Sequence, residues 1–543
     1  MRDWLAIRAA ATPTRTALVA AGDVMTPSSY AALDERVEEL AGRLAASGVG
    51  VDDPLAVCAG TRAEFVEVAH AAQRLGAVLV PLDARLPAAS LADRLAKVEP
   101  AAVLCEARTE PTVVEALDGD RTVVQTGVQT LDDPVESAGK LDDVRPEPFD
   151  LPEWEIDDPM LVLFTSGSTG EPKPVVLTLG NVLASATASA FRLGLRPDDC
   201  WHVPLPMYHM GGLAPVYRSV LYGTRLSVER RPEDGFDPRA TLAALDEADA
   251  TAVSLVPTML ERLLDADEYA GAGDVEANEA DDDDPAARSN DQRAGSGAGV
   301  LSGLRFVLLG GAPCPPSLLE RAQEVGVPVA PTYGMTETAS QVATARPEEA
   351  HEHPSSVGHP LMFADVTVRT EAGARCAPGE TGELVVAGPM VTPGYLGEGT
   401  TGESFCNDGL RTGDRGYRDD DGRVYVEGRV DDTVRTGGEN VAPAEVAAAL
   451  RTHPAVDDCA VVGVPDPEWG ERVAALVVPV PDRNGRPAPV TGDDLRAHCA
   501  DRLADFKRPR TVAFADELPR TASGTIDRGA VQRMLDERST RED

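Results

Sequence analysis

Apolar positions recur in two rhythms along this chain. Through roughly the first 430 residues, stretches with apolar residues every three or four positions alternate with short runs that are apolar throughout. EFVEVAHAAQRLGAVLVPL (64–82) reads as a helix followed by a buried strand, and TAVSLVP followed by TMLERLL (251–264) as a strand passing into a helix. Such alternation predicts α/β layers. LRFVLLGGAPCPP (304–316) is a buried strand opening into a Gly-Gly turn, and VAPTYGMTETASQVAT (329–344) a strand passing into a polar loop. DGLRTGDRGYRDDDGRVYVEGRVDD (408–432) holds two turn-separated strands, with Asp414 and Arg429 near their ends. Beyond about Val430 the rhythm changes. PAEVAAALRTH is a helix, DDCAVVGVP and VAALVVPV are β-rich, and DDLRAHCADRLADF is a second helix, a pattern that suits a small α+β domain. The expected division is therefore 1–430 and 431–543, with a hinge near Asp431 and Asp432.

Composition changes the picture in three places. Residues 265–299 are acidic, Gly/Ala-rich and almost free of large apolar residues, so they cannot bury enough surface to offset ordering entropy; a disordered insertion is expected there. No apolar run approaches the roughly 18 residues that a membrane span needs, and the N-terminus lacks a signal-peptide core, so the expected location is the cytoplasm. The eight cysteines show no CxxC pair or metal spacing, which argues against a disulfide framework or a zinc site. The net charge of −40 removes nucleic acid as a partner, because that function needs a basic footprint. It suits a surface adapted to a high-salt, halophilic cytoplasm, where screening makes self-repulsion tolerable. Lysine occurs only at 97, 140, 173 and 507, and Lys97 and Lys140 need be no more than surface residues.

FTSGSTGEPKP (164–174) follows the apolar run that begins at Met160. Thr165 to Glu171 are hydroxyls, glycines and one acid, and Pro172 and Pro174 are expected to forbid a regular ladder on either side of Lys173. The stretch is read as a loop on the end of a strand. Such a loop aims backbone N–H groups and hydroxyls at one spot, as phosphate-binding concavities do. GxxxxGK[ST] is absent, so it is not the common P-loop.

TSGSTGEPK, YGMTE, TGD and GRVDD in this order make the set specific. The chain resembles the adenylate-forming superfamily of acyl-CoA ligases, nonribosomal-peptide adenylation domains and luciferases over essentially its whole length. A narrower likeness, to the 2-succinylbenzoate–CoA ligases of menaquinone biosynthesis, rests on LPMYHMGGL (205–213), VPTMLERLL (256–264), GGAPCPPSLLE (310–320) and GMTETASQVAT (334–344). The resemblance implies an α/β protein with a large multi-layer N-terminal adenylation domain and a small mobile α+β C-terminal domain. It also implies an AMP-forming ligase that uses ATP, Mg²⁺ and coenzyme A as cofactor and co-substrates. A carboxylate attacks the α-phosphorus of ATP, and the thiol of coenzyme A then displaces AMP from the acyl-adenylate.

By the same resemblance, Thr165, Ser166, Gly167, Ser168, Thr169, Gly170 and Lys173 hold the β- and γ-phosphates. Gly310 and Gly311 let the backbone approach the nucleotide, and Thr332, Tyr333, Gly334, Met335 and Thr336 form the adenine side. Glu337 is the expected Mg²⁺ ligand. Asp414 is expected on the ribose hydroxyls, Arg429 on nucleotide oxygens, Asp431 at the hinge, and Gly437 and Gly438 on the pantetheine channel.

Succinylbenzoate carries a second carboxylate that must be met while ionised. His209, Arg218, Ser340 and Gln341 are the expected pocket residues, with Arg218 as counter-ion. One position departs from the family. LPRTASGTIDR (518–528) has Thr525 where the superfamily's catalytic lysine is usual, and Lys507 in DFKRPR is the first candidate to take over its charge. Two alternatives stay open: a fatty-acyl or other aryl-CoA ligase, and a catalytically silent adenylate-binding homologue. The oligomeric state is open too, a homodimer among the options.

Overall fold

The structure is a computed structural model that describes residues 3–21, 26–118, 127–135, 138–166, 172–230, 235–277, 299–397, 401–437, 439–466, 469–480, 489–500, 502–520 and 526–539. The chain packs as two units. The first comprises Met1–Val366 and Val386–Leu410, the second Thr367–Val385 and Arg411–Asp543.

Two large sheets carry the first unit. One has nine strands in the order His359–Pro360, Ser340–Thr344, Val329–Met335, Phe306–Leu309, Ala252–Leu255, Cys200–Val203, Arg225–Glu229, Thr16–Ala21, Thr26–Ser29. The strands from Val329–Met335 to Thr16–Ala21 run parallel. The helices Met210–Tyr222, Pro238–Glu247, Pro257–Ala277 and Pro316–Glu324 alternate with them along the chain, as the βα rhythm requires. The second sheet has eight strands, in the order Gly394–Tyr395, Pro172–Thr178, Pro159–Ser166, Val78–Leu82, Pro54–Cys58, Ala102–Cys105, Gly127–Thr130, Gly139–Lys140. The helix Ala63–Leu75 and the strand Val78–Leu82 realise the pattern of 64–82, and from Val78 to Leu82 every residue is buried. A single large core joins Trp4, Phe65, Leu161, Trp201 and Tyr217.

Three expectations are corrected. Pro172 and Pro174 do not break the ladder: Pro172–Thr178 pairs antiparallel with Pro159–Ser166, with Thr165 opposite Lys173 and Ser166 opposite Pro172. The reason lies in which edge the prolines use. Leu396 N donates to Pro174 O at 2.8 Å, so Pro174 faces the outer neighbour, and in an antiparallel ladder a residue's N and C=O share an edge. Pro172, two residues away, shares that edge, and the partner strand asks neither for a donor. Residues 164–166 and 172–174 of the phosphate stretch are thus paired strand residues, and residues 167–171 lie outside the described residues. Second, the stretch read as a polar loop after Tyr333 is a tight 3₁₀ turn, Thr336–Thr338, followed by the strand Ser340–Thr344. Third, the helix that begins at Pro257 continues to Ala277, so residues 265–277 are helical; 278–298 lie outside the described residues.

A smaller sheet contains the points where the chain passes between units: Asp365–Arg369, Gly382–Ala387, Gly409–Arg418, Phe405–Cys406, with Val424–Arg429 also paired to Gly409–Arg418. Asp414 lies within its strand, not at its end, and pairs with Arg429 in register. The second unit is built on Glu439–Val441, Val434–Thr436, Gly470–Pro479 and Val456–Asp466, with Thr511–Phe514 parallel to Gly470–Pro479. Cys459 and Val461 pack with the helices Pro443–Arg451 and Gly492–Ala500 on one face, while Ala460 and Val462 pack with Val531 and Leu535 of Arg528–Ser539 on the other. Coverage on both faces is why DDCAVVGVP reads as a nearly continuous apolar run. All eight cysteines are free thiols. Among the described residues, no helix is long and apolar enough to cross a membrane.

Candidate active site

In the first unit, three segments distant in sequence converge on the root of the hairpin. Lys173 Nζ lies 5.4 Å from the centroid of the Tyr395 ring, and Tyr395 Oη donates to Glu337 Oε1 at 3.2 Å. Thr392 fixes the turn that carries Glu337: its N–H donates to Glu337 O at 2.8 Å, and its hydroxyl bonds to Val176 O on the hairpin. The lysine expected on phosphates and the carboxylate expected on Mg²⁺ are therefore joined through one tyrosine. Tyr395 was not singled out from the sequence, where a lone aromatic in PGYLGEG carries little signal.

Glycines shape the adenine side. A Cβ on Gly334 would lie 1.7 Å from Ser340 O, so the turn closes only around glycine; Ser340 itself is held at φ 113°. A Cβ on Gly310 would lie 2.7 Å from Thr332 Cγ2, and Gly311 has φ +78°. Tyr333 is half-buried opposite Ala343. Behind it, Thr332 Oγ1 meets Thr344 Oγ1 at 2.8 Å, and Gln341 Nε2 donates to Thr344 Oγ1 at 2.9 Å. Met335 N–H donates to Thr338 Oγ1 at 3.2 Å, which fixes the turn at Thr336.

His209 is the N-cap of the helix Met210–Tyr222, its ring edge-on to Tyr208 at 4.8 Å. Arg85 lies over the Tyr208 ring at 5.6 Å and pairs with Asp83 at 3.0 Å. Burial pushes the Asp83 carboxyl up, but hydrogen bonds from Arg85 and the charges of Arg85 and His209 hold it below its ordinary value. Arg218, on the same helix, is 2 % exposed and lies 5.6 Å from the Trp201 ring centroid. Burial draws its guanidinium down to about 10. No carboxylate pairs with it among the described residues, and its Nε and Nη2 have no hydrogen-bond partner there. Gln341 Oε1 is likewise a buried acceptor without a donor among the described residues.

Asp414, Arg429, Asp431, Gly437 and Lys507 lie in the second unit. Arg429 Nη1 donates to Asp414 Oδ1 at 3.1 Å, and the Asp414 N–H donates to Thr412 Oγ1 at 3.0 Å. Gly437 takes φ +60°, and a Cβ there would meet the Trp469 ring at 2.7 Å. Asp431 follows the strand that ends at Arg429. Lys507 Nζ donates to both carboxylate oxygens of Glu445 at 2.7 Å. Gly167, Ser168, Thr169, Gly170, Gly438 and Thr525 lie outside the described residues, as does the Ser166 side chain. Among the described residues, no group of three or more His, Cys, Asp or Glu could hold a metal. A single carboxylate, Glu337, suits Mg²⁺, which binds through one or two carboxylates plus substrate phosphates.

Residues 5–396 match the AMP-binding enzyme family, and residues 445–525 match the AMP-binding enzyme C-terminal domain. The chain belongs to the AMP-binding enzymes. It is 35% identical over 539 residues, 99% of each chain, to the 2-succinylbenzoate–CoA ligase of Bacillus mycoides, and 37% identical over 536 residues, 98% of each, to that of Geobacillus kaustophilus. Among solved structures, O-succinylbenzoate coenzyme A synthetase from Bacillus subtilis, in complex with ATP and magnesium ion, superposes with a TM-score of 0.80 at 32% identity over 99% of both chains. ATP-bound MatB from Rhodopseudomonas palustris gives 0.83 at 27% identity over 98% of this chain and 99% of that one. As an AMP-binding enzyme, the chain has the large α/β domain and small C-terminal domain that its motifs implied.

Proposed function

We propose that this protein is an AMP-forming acid–CoA ligase that converts 2-succinylbenzoate to 2-succinylbenzoyl-CoA in menaquinone biosynthesis, through an acyl-adenylate. Full-length likeness to the Bacillus and Geobacillus ligases supports the reaction. The observation that carries the substrate is Arg218, a fully buried cation with no ionic partner among the described residues, on the helix capped by His209. An acid with one carboxylate to activate leaves such a cation unmatched; a second carboxylate, kept ionised on the ring, matches it.

The residues divide the work. The hairpin from Thr165 to Lys173 holds the β- and γ-phosphates, chiefly through backbone N–H groups, hydroxyls and the Lys173 cation. Glu337, oriented by the Tyr395 hydroxyl, holds Mg²⁺, which neutralises phosphate charge as pyrophosphate leaves. Tyr333 lies against adenine where Gly310 and Gly311 admit it. Asp414 accepts from the ribose hydroxyls, with Arg429 beside it. His209, Ser340 and Gln341 line the acid with Arg218. Rotation about Asp431 brings Gly437 and Gly438 to the pantetheine arm, whose thiol needs no strong base against an adenylate. We place the protein in the cytoplasm, where ATP and coenzyme A are supplied. Thr525 keeps a second reading open, a silent adenylate-binding homologue, since threonine supplies neither charge nor reach.

The deciding assay is pyrophosphate release on mixing the protein with ATP, Mg²⁺ and a panel of acids. Release with succinylbenzoate, well above that with benzoate or fatty acids, is expected. Release with a monocarboxylate alone would replace the substrate assignment, and no release with any acid would favour the silent homologue.

A further inference from the structure

The helices Ala63–Leu75 and Met210–Tyr222 bring three polar side chains into the main core of the first unit: His70, Gln73 and Tyr217. Their exposures are 0 %, 1 % and 1 %. His70 and Gln73, three residues apart, share a face of their helix. The His70 and Tyr217 rings meet edge-on at 86°, centroids 5.9 Å apart, and Trp4 closes against Tyr217 at 6.1 Å. Both ring nitrogens of His70, both amide heteroatoms of Gln73 and the Tyr217 hydroxyl are buried with no hydrogen-bond partner among the described residues. Buried polar groups left in that state each cost about 1–3 kcal/mol, and the large majority of buried polar side-chain atoms in native interiors have a partner.

Nearby groups are already engaged. Trp154 Nε1 donates to Gln73 O at 2.8 Å, Tyr30 Oη donates to Thr224 O at 2.7 Å and lies 3.0 Å from Ser219 O, and Ser219 Oγ donates to Val216 O at 2.9 Å. Arg74 is met by Asp3, Asp34 and Glu38. None of these groups, among the described residues, supplies the partner of His70, Gln73 or Tyr217.

Charge decides what it is. Burial draws the His70 imidazole down to about 4, with Asp3 acting upward and Arg74 downward, so His70 is neutral. Asp3 and Arg74 are paired to each other. Asp3 and Arg74 thus offer neither an anion nor a cation a free partner, and Arg218, which follows Tyr217 in sequence, lies against the Trp201 ring. Neutral imidazole offers one donor and one acceptor, and the amide and the phenol offer both, so the occupant must donate and accept and carry no charge. Water is the smallest such molecule, and Trp4, Phe65 and Leu5 of the same core are buried and carry no charge.

We propose that His70, Gln73 and Tyr217 enclose an internal hydration site holding at least two ordered water molecules. A buried water makes about three hydrogen bonds, so one molecule does not satisfy five atoms. Tyr217 lies on the helix that carries Arg218 and is capped by His209, and the waters are part of the packing that fixes that helix.

A high-resolution crystal structure of the full chain, beside one of Gln73→Met, tests it. Two or more density peaks within hydrogen-bond distance of these atoms are expected, with loss of the peak on Gln73 and retention of those on His70 and Tyr217 in the variant. A dry cluster, a single water, or side chains bonded directly to one another would overturn it. Nitrogen-15 spectra of the His70 ring give a second readout: a neutral tautomer persisting at about pH 5 is expected, and an imidazolium there would mean that an ion occupies the site.

Discussion

Burying the Arg218 guanidinium without a carboxylate works against folding, and that separates a binding role from a structural one. A surface or ion-paired arginine loses stability or nothing when replaced; an uncompensated buried cation, exchanged for an apolar side chain of similar length, often gains it. Arg218→Met should therefore raise the melting temperature of the ligand-free protein while raising KM for succinylbenzoate. Truncating one side of a buried charge pair costs about 2–5 kcal/mol, so kcat/KM should fall by roughly 10²-fold or more. Arg218→Ala, which also removes packing, should show the same kinetic loss. An unchanged KM in both variants, by steady-state assay, would remove Arg218 from the substrate pocket. The arginine itself was legible in PMYHMGGLAPVYR; its isolation from every carboxylate among the described residues was not, because a list of residues does not say which charges share a neighbourhood.

Among the elements, the C-terminal loop poses the sharpest question. Arg520 and Ile526 bridge antiparallel, and Asp527 N donates to Pro519 O at 2.8 Å, so LPRTASGTIDR is closed at its root. Lys507 sits on Glu445 in a partly exposed pair, and such pairs are worth no more than about 1 kcal/mol. Leaving Glu445 to serve the adenylation site is thus a small energetic step. Takeover by Lys507 predicts that Lys507→Ala abolishes pyrophosphate release yet spares thioester formation from synthetic acyl-adenylate, while Thr525→Lys changes little. The contrary pair of results, normal adenylation by Lys507→Ala and a gain of about 10²-fold by Thr525→Lys, is what restoring one preorganised donor would give, and would sink the assignment. The hairpin at 164–174 teaches the complementary lesson. Prolines argued against a ladder, yet the strand forms because both face the edge that its long partner does not use.

For the whole molecule, the net charge of −40 makes a prediction about salt. Raising KCl from about 0.1 M to 1 M shortens the screening length from roughly 10 Å to 3 Å and relieves self-repulsion of the folded state. The thermal midpoint should climb by several degrees, most of it below about 1 M, and sucrose at matched osmolality should not reproduce the rise. A midpoint that is flat or falls with salt would show that the acidic surface is no adaptation to a saline cytoplasm.

What the sequence determined by itself is what depends on local pattern and on residue type. The two rhythms of apolar positions separate a large α/β part from a small α+β tail because period and run length are properties of short windows. The motif glycines are legible as residue types in a specific order, whereas the groups that crowd a side chain there, Ser340 O at Gly334 and Thr332 Cγ2 at Gly310, are brought up by the fold. Tertiary structure alone decided which distant groups meet. Tyr395 joins Lys173 to Glu337, Thr392 ties the Glu337 turn to the hairpin, and Asp83 with Arg85 stands beside Tyr208 and His209. It also decided burial, which turned an ordinary arginine at 218 into an unpaired core cation and three unremarked residues, His70, Gln73 and Tyr217, into a polar cluster in the core. Contact and desolvation are set by how two sheets and their helices close on one another, and that information is spread over the whole chain instead of residing in any segment of it.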